Sequence, residues 1–426
     1  MVPGLVIRSP RLILALLTAL NLLNYLDRNV LSAVVAPVEH DLGLSHFVTG
    51  LFPTIFLVGY TLTSPIFGHL GDRPGALGRK GPIALGVAVW SAATVASGLS
   101  TGAWSMAASR AVVGVGEASY ATIAPAIIDD LAPASRKGAW MSVFYAATPI
   151  GSALGYLVGG KVADTLGWRS AFYVAGGPGI AAALLCLLIA DPARRDASQP
   201  ARNPFAAAGV LARGPMYRGS VLGFCAYTFA IMGFGFWAPA YLHIQYAMPA
   251  GRAAFVFGLV TVAGGFIGTL VGGFASDRAA RARLRQQARA GALPVGRAED
   301  DAIARANLMV TAVSCAIGAP LAAAAISAPT ARVFFALALP CQVALFALSG
   351  PINVVLLRSA PPALRASAMA LSIFCIHWLG DLWSPPLIGL AADHAPMKLA
   401  MYAVPAVFAL AAIVWWKTAG TQARLT

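Results

Sequence analysis

Twelve stretches of this chain are apolar enough and long enough to cross a lipid bilayer, and no other feature limits its possible folds so severely. A helix rises about 1.5 Å per residue, so roughly 20 residues span about 30 Å of hydrocarbon. The stretches cover approximately residues 12–37, 47–70, 81–100, 103–128, 138–160 and 168–190, then 216–242, 253–275, 306–326, 331–356, 366–390 and 397–417. Only 11% of the 426 residues are charged and 58% are hydrophobic, against about 25% charged in an ordinary soluble domain. A soluble monomer is excluded. The first run follows Arg8 and Arg11 but continues through Leu26 to Val38 without a small-x-small cleavage site, so it is expected to be a spanning helix rather than a secretory leader.

The chain carries 30 Lys and Arg against 16 Asp and Glu, a net charge of +14. Counting loops from the N-terminus, one side receives Arg8, Arg11, Arg73, Arg79, Lys80, Arg136, Lys137, the arginines between 194 and 218, the cluster from Arg278 to Arg305, Arg358, Arg365, Lys417 and Arg424. The other side receives only Lys161, Arg169, Arg252, Arg332 and Lys398. Cytoplasmic loops accumulate Lys and Arg. The expectation is a multi-pass plasma-membrane protein, in a bacterial inner membrane, with both termini cytoplasmic. The charge is then a topology signal, and no nucleic-acid partner is expected. The five cysteines lie singly in apolar stretches and read as small buried hydrophobes.

The two halves echo each other. Gly68-His69-Leu70-Gly71-Asp72-Arg73 follows the second stretch and Gly273-Phe274-Ala275-Ser276-Asp277-Arg278 the eighth. Pro133-Ala134-Ser135-Arg136 after the fourth matches Pro362-Ala363-Leu364-Arg365 after the tenth. Internal repeats of this kind are a common plan in carriers. The expected organisation is a six-helix bundle over 1–190, a cytoplasmic linker over 191–215 and a second six-helix bundle over 216–426.

With these motifs the chain resembles the major facilitator superfamily along its whole length. Asn24-Tyr25-Leu26-Asp27-Arg28, the Gly68–Arg73 string, Arg110-Ala111-Val112-Val113-Gly114-Val115-Gly116-Glu117-Ala118-Ser119 and Ile123–Leu131 resemble its spinster branch in particular. The resemblance implies an all-α membrane protein with twelve helices in two pseudo-symmetric six-helix bundles. It also implies transport of sphingoid or lysophospholipid molecules. By the same resemblance Asp72 and Arg73, and in the second half Asp277 and Arg278 with Arg136 nearby, form a cytoplasmic gate. Gly151, Gly155, Gly159 and Gly160 match an antiporter-like pattern, but Tyr156 stands where a proline is common, so antiport is not inferred.

An ionised side chain at mid-bilayer costs about 2.5 to 3.5 kcal/mol on insertion scales, so each one needs a reason. Asp27 and Arg28 lie in the first stretch, Arg110 and Glu117 in the fourth, His377 and Asp381 in the eleventh. Arg110 and Glu117 are nearly two helical turns apart and share a face; Asn21, Asn24, Asp27 and Arg28 form a polar stripe on the first helix. In the superfamily these two helices line one cavity, so the resemblance brings the stripes together. The two acids and two arginines make a neutral cluster to which a proton or an anion adds charge. Glu117, with Asp27, is the expected proton carrier. Arg28 and Arg110, with Asn24, are the expected headgroup ligands, since guanidinium suits bidentate phosphate contact. Tyr25, Ser119, Tyr120, His377 and Asp381 are candidates for the cavity or a gate. A structural alternative stands beside this one: the charges pin helices together as a buried network. The glycine stripes, 151/155/159 and 264/268/272, likewise suit either rocking or static packing. The aromatic run Tyr227, Phe229, Phe234, Phe236 and Trp237 suits either an acyl chain or the core.

The expected function is proton-coupled secondary transport of an amphiphilic anionic lipid by alternating access. The alternatives are a carrier of a small water-soluble organic anion and, in another class, a membrane receptor or scaffold. No enzyme is expected: Gly98-Leu99-Ser100-Thr101-Gly102 lies between two membrane helices, whereas a hydrolase elbow needs a strand-to-helix turn. No cofactor beyond the proton gradient is expected, and the only partners are the substrate and membrane lipids around a monomer.

Overall fold

The apolar stretches fold as helices in a computed structural model that describes residues 6–72, 78–133, 136–191, 204–289, 296–361 and 364–420. In chain order they are α1 (Pro10–Ala33), α2 (Val35–Leu42), α3 (His46–Asp72), α4 (Lys80–Gly98), α5 (Ala103–Leu131), α6 (Lys137–Leu166), α7 (Trp168–Leu187), α8 (Pro204–Arg213) and α9 (Pro215–Tyr246). Then follow α10 (Ala250–Arg289), α11 (Arg297–Ser327), α12 (Ala331–Phe346), α13 (Ser349–Arg358), α14 (Arg365–Ile376), a π turn (His377–Asp381), α15 (Ser384–His394), α16 (Met397–Met401) and α17 (Ala403–Gly420). Among the described residues there is no strand, only one bridge pair between Ile7 and Ile189.

Nine spans among the described residues are long and apolar enough to cross a membrane: α3, α4, α5, α7, α9, α10, α11, α12 with α13, and α16 with α17. The remaining three crossings are α1 with α2, α6, and α14 with the π turn and α15. They carry polar stripes, glycines or breaks that dilute their apolar character. The architecture is that of twelve transmembrane helices in two pseudo-symmetric bundles.

Prolines explain where a crossing breaks. Each ring opposes the carbonyl four residues back and lacks the N–H that would bond to it. Pro37 stands four residues after Ala33, the end of α1; Pro351 four after Ala347, between α12 and α13; Pro405 four after Met401, the end of α16. Pro385 and Pro386 oppose Asp381 and Leu382, and there the helix loosens into the π turn, with the Leu382 N–H donating to the His377 carbonyl at 3.1 Å. Other prolines, such as Pro53 and Pro125, lie inside continuous helices, as neighbouring groups in a bundle allow.

Two segments differ from the sequence reading. The linker contains helix α8, and α10 continues to Arg289, well past the apolar limit near 275. Its extension, Ser276–Arg289, is rich in Ala, Arg and Gln, which favour helix without requiring burial. Helix α11 likewise begins early, with Glu299 and Asp300 in its first turn, where acids complement the helix dipole.

The chain forms two compact units, residues 1–199 with 236–259 and residues 200–235 with 260–426. In the first, α1 packs chiefly on α6, α3 on α5, and α4 on α5 and α7. The α6 glycines make the α1 contact: a Cβ at Gly155 would lie 2.5 Å from the Leu26 carbonyl oxygen and 2.7 Å from Asn29 Cβ. Gly114 does the same between α5 and α3, where a Cβ would lie 2.9 Å from the Tyr60 nitrogen. In the second unit, α11 packs on α12, α13 and α17, and Gly264, Gly268 and Gly272 press α10 onto Gln342, Val343, Phe346 and Ala347 of the α12 region. Both glycine stripes therefore pack helices within one unit. The α3–α5 pair and its counterpart α10–α12 use small residues in the same way, which is the pseudo-symmetry in physical form.

Candidate functional site

In the first unit the polar stripes of α1 and α5 meet. The Arg28 Nε donates to Glu117 Oε2 at 2.6 Å, and Arg110 Nη2 lies 3.7 Å from Asp27 Oδ1, an ion pair too long for a hydrogen bond. A hydroxyl from a third helix enters: Thr94 on α4 donates to Asp27 Oδ2. Three aromatic rings surround the Arg28 guanidinium, Tyr25 and Tyr60 with centroids at 5.0 Å and Phe56 at 5.1 Å. Such faces attract a cation by about 0.5 to 2 kcal/mol each. Phe56 is shared, with Arg110 Cζ 6.0 Å from its centroid.

Burial is uneven. Side-chain exposure is 0% for Glu117, 1% for Asp27 and 3% for Arg110, but 23% for Arg28. Arg28 is thus the open end of the cluster, with Glu117 directly behind it. Four buried polar atoms here have no hydrogen-bond partner within the protein: Asn24 Nδ2, Asp27 Oδ1, Arg110 Nη1 and Glu117 Oε1. An unsatisfied buried donor or acceptor costs roughly 1 to 3 kcal/mol, and more when charged. A network built only to pin helices would be expected to satisfy itself. This one leaves both acids and one arginine with capacity for a further partner.

The other polar candidates on these helices are committed elsewhere. Asn21 donates to the Phe144 carbonyl at 3.0 Å, tying α1 to α6. Ser119 and Tyr120, candidates for a cavity or gate, turn into the helix packing. Ser119 donates to the Pro82 carbonyl at 2.6 Å, while Tyr120 is fully buried, donates to the Leu17 carbonyl and stacks edge-on with Trp90. Both hydroxyls are engaged with backbone oxygens.

In the second unit His377 and Asp381 pair at 2.8 Å across the π turn. Asp381 Oδ1 and Trp378 Nε1 are buried without partners, and Trp383 donates to the Trp378 carbonyl at 2.9 Å. Irregular helical turns of this kind recur at functional positions. The aromatic run of α9 is mostly core: Tyr227, Phe234, Phe236 and Trp237 are buried, and Tyr227 donates to the Leu345 carbonyl at 3.0 Å.

Of the expected gate residues, the Asp72 side chain and Arg73 lie outside the described residues, and Arg136, Asp277 and Arg278 are exposed. Motif reading missed two tighter charge clusters on the same arginine-rich side. Arg79 is almost fully buried and pairs with Asp130 at 2.6 Å and Asp191 at 3.0 Å, joining the starts and ends of α4, α5 and α7. In the second unit Asp300 pairs with Arg358 and, at 2.6 Å, with Arg365. The signs are reversed: one cation between two acids, then one acid between two cations. The available signal was a charged residue near the end of each apolar stretch.

A family model described as Major Facilitator Superfamily matches residues 17–380. The chain belongs to the major facilitator superfamily. Within it the chain falls among the spinster proteins. It is 31% identical over 423 residues to the "Probable sphingolipid transporter spinster homolog 2" of Arabidopsis thaliana, covering 91% of this chain and 82% of that one. It is 33% identical over 406 residues to "Protein spinster homolog 1" of Homo sapiens, covering 90% and 73% respectively. The fold is similar to a crystal structure of a bacterial homolog to the human lysosomal transporter Spinster, with a TM-score of 0.80, 20% identity and coverage of 96% and 97%. A D-xylose-proton symporter shares the fold at a TM-score of 0.72 and 18% identity. This spinster-family protein is therefore a multi-pass membrane transporter of the major facilitator type.

Proposed function

We propose that this transporter moves an amphiphilic anionic lipid, such as a sphingoid phosphate or lysophospholipid, by proton-coupled alternating access. The observation that carries the reading is the partly exposed Arg28, boxed by Tyr25, Phe56 and Tyr60 and paired to the sealed Glu117. Asp27 and Glu117 balance Arg28 and Arg110, so the cluster is neutral with both acids ionised. An incoming phosphate at Arg28 competes with Glu117 for the guanidinium. Glu117, losing its counter-ion in a site without water contact, then gains from taking a proton. Proton and anion thereby occupy the cluster together or leave it together, which is the coupling a carrier needs. Arg110 and Asn24 hold unpartnered donors for the same headgroup. A proton moving down its concentration gradient releases about 1.4 kcal/mol per pH unit, enough to bias accumulation.

The names of the plant relatives support the lipid class. The excess of Lys and Arg on the side of both termini supports cytoplasmic ends. The test is uptake of labelled sphingoid phosphate, lysophospholipid and a small carboxylate into proteoliposomes, with and without a pH gradient. Gradient-dependent uptake of an amphiphile and none of the carboxylate is expected. Carboxylate uptake alone would overturn the substrate class, and uptake indifferent to the gradient would overturn the coupling.

A further inference from the structure

A groove of about 500 Å³ opens between α10 and α11 in the second unit, where α10 leaves its apolar span. Ala275, Ala279 and Ala282 form the α10 wall, at spacings that share one helix face. Met309, Val310 and Val313 form the α11 wall, half-buried to exposed. At the arginine-rich end stand Arg283 and Gln286, both exposed, with Arg283 Nη1 donating to Gln286 Oε1 at 3.4 Å. The two helices are clamped beside the groove. The buried Ser276 hydroxyl donates to Asn307 Oδ1, and Asn307 Nδ2 donates to the Ile303 carbonyl at 2.9 Å. The buried polar bond fixes the two helices side by side, and alanines leave the groove unfilled where larger side chains would close it.

Charge says what fits. The α10 extension carries Arg278, Arg281, Arg283, Arg285 and Arg289 against one acid, Asp277. An apolar trough ending in a guanidinium and an amide is complementary to one chemistry: an acyl chain joined to a phosphate. We propose that this groove binds an anionic glycerophospholipid of the surrounding leaflet, its acyl chain along Met309, Val310 and Val313 and its phosphate at Arg283 and Gln286. Basic recesses between membrane helices hold lipid headgroups in this way. The groove shares no residue with the Arg28–Glu117 cluster, so it is a second site apart from the one proposed for the cargo. The inference does not depend on the proposed substrate or coupling.

The test uses the full-length protein, delipidated in detergent and followed by native mass spectrometry. It is titrated with palmitoyl-oleoyl phosphatidylglycerol, the matching phosphatidylcholine or inorganic phosphate. One phosphatidylglycerol is expected to bind with about tenfold preference over phosphatidylcholine. Arg283→Gln is expected to weaken it about five- to tenfold, and Ala282→Phe to block it by filling the wall. Arg285→Gln, on the same extension but outside the groove, is expected to change it less than about twofold. Both groove positions are exposed, so these variants keep the fold, and helical circular dichroism checks it. Equal retention of the two lipids, equal weakening by Arg285→Gln and Arg283→Gln, or displacement of the lipid by inorganic phosphate would each overturn the proposal.

Discussion

Arg28 on α1 donates to Glu117 on α5 at 2.6 Å although the two stand 89 positions apart. The neighbouring Asp27 faces the other α5 charge, Arg110, at 3.7 Å. Adjacent residues on one helix thus reach opposite charges two turns apart on the other. Each acid has its own arginine, and only one of the pairs is open to the outside. That asymmetry leaves Asp27 and Arg110, with Thr94, enclosed, and Arg28 at the partly exposed end of the cluster.

Glu117→Gln removes the titratable group and keeps its shape. Uptake driven by a pH gradient is expected to fall at least about tenfold, in keeping with the usual weight of a positioned proton-transfer group. Substrate exchange without a gradient is expected to persist. Proteoliposome uptake and counterflow measure the two. Full gradient-driven uptake in this variant would remove Glu117 from the coupling.

Arg28→Lys keeps the charge and loses the planar fork that lies among three rings. Lys and Arg are not equivalent at such a place. The apparent affinity for a phosphate-bearing substrate is expected to fall about tenfold, roughly the value of one or two cation–π faces. The dependence on pH is expected to remain. An unchanged KM would place the headgroup elsewhere.

Gly114→Ala puts a methyl group 2.9 Å from the Tyr60 nitrogen and 3.0 Å from the Phe56 carbonyl carbon, forcing α3 away from α5. Overpacking of this kind costs about 1 to 3 kcal/mol. It also moves Phe56 and Tyr60 off Arg28. A lower thermal midpoint in detergent and weaker substrate binding are expected together. Gly177→Ala on α7, where nothing lies within 4 Å, is the control and is expected to leave both unchanged.

Asp41, in the last turn of α2 and beyond the first apolar stretch, lies on the side opposite the arginine-rich loops and accepts hydrogen bonds from Arg169 and, at 3.2 Å, from Trp168 Nε1. The Arg169 hydrogen bond, followed by that of Trp168, holds its carboxyl below the ordinary aspartate range. A depressed value means the folded state favours the ionised acid. The stabilisation is therefore present above the unfolded-state value and is lost as pH falls through the folded one. Asp41→Asn is expected to lower the thermal midpoint at pH 6 by a small margin, since the pair is exposed. The gap to the unmodified protein is expected to close progressively below about pH 4. A gap that stays constant into strong acid would sink the assignment.

How far the chain could be read in advance follows from the range of each signal. Hydropathy and the helical rise fixed twelve crossings, and the recurring Gly-x-x-x-Asp-Arg string gave two comparable halves, because both depend on residues near one another in sequence. Helical periodicity placed Asn24, Asp27 and Arg28 on one face and Arg110 with Glu117 on another. It also aligned His377 with Asp381, which do pair. Ser119 and Tyr120 have hydroxyls that bond to backbone carbonyls of packed helices, contacts that no local spacing displays.

A residue's angle around its own helix is set locally, so the sequence determined which side chains share a face and which loops carry the positive charge. The rotation and depth of one helix against another are set by close packing at positions such as Gly155 and Gly114. Tertiary structure alone therefore decided that Arg28 meets Glu117, that Thr94 bonds to Asp27, and that Phe56 and Tyr60 join Tyr25 around the guanidinium. It likewise gathered Arg79, Asp130 and Asp191, charges that no motif connects, because an ion pair depends on distance in space and not along the chain.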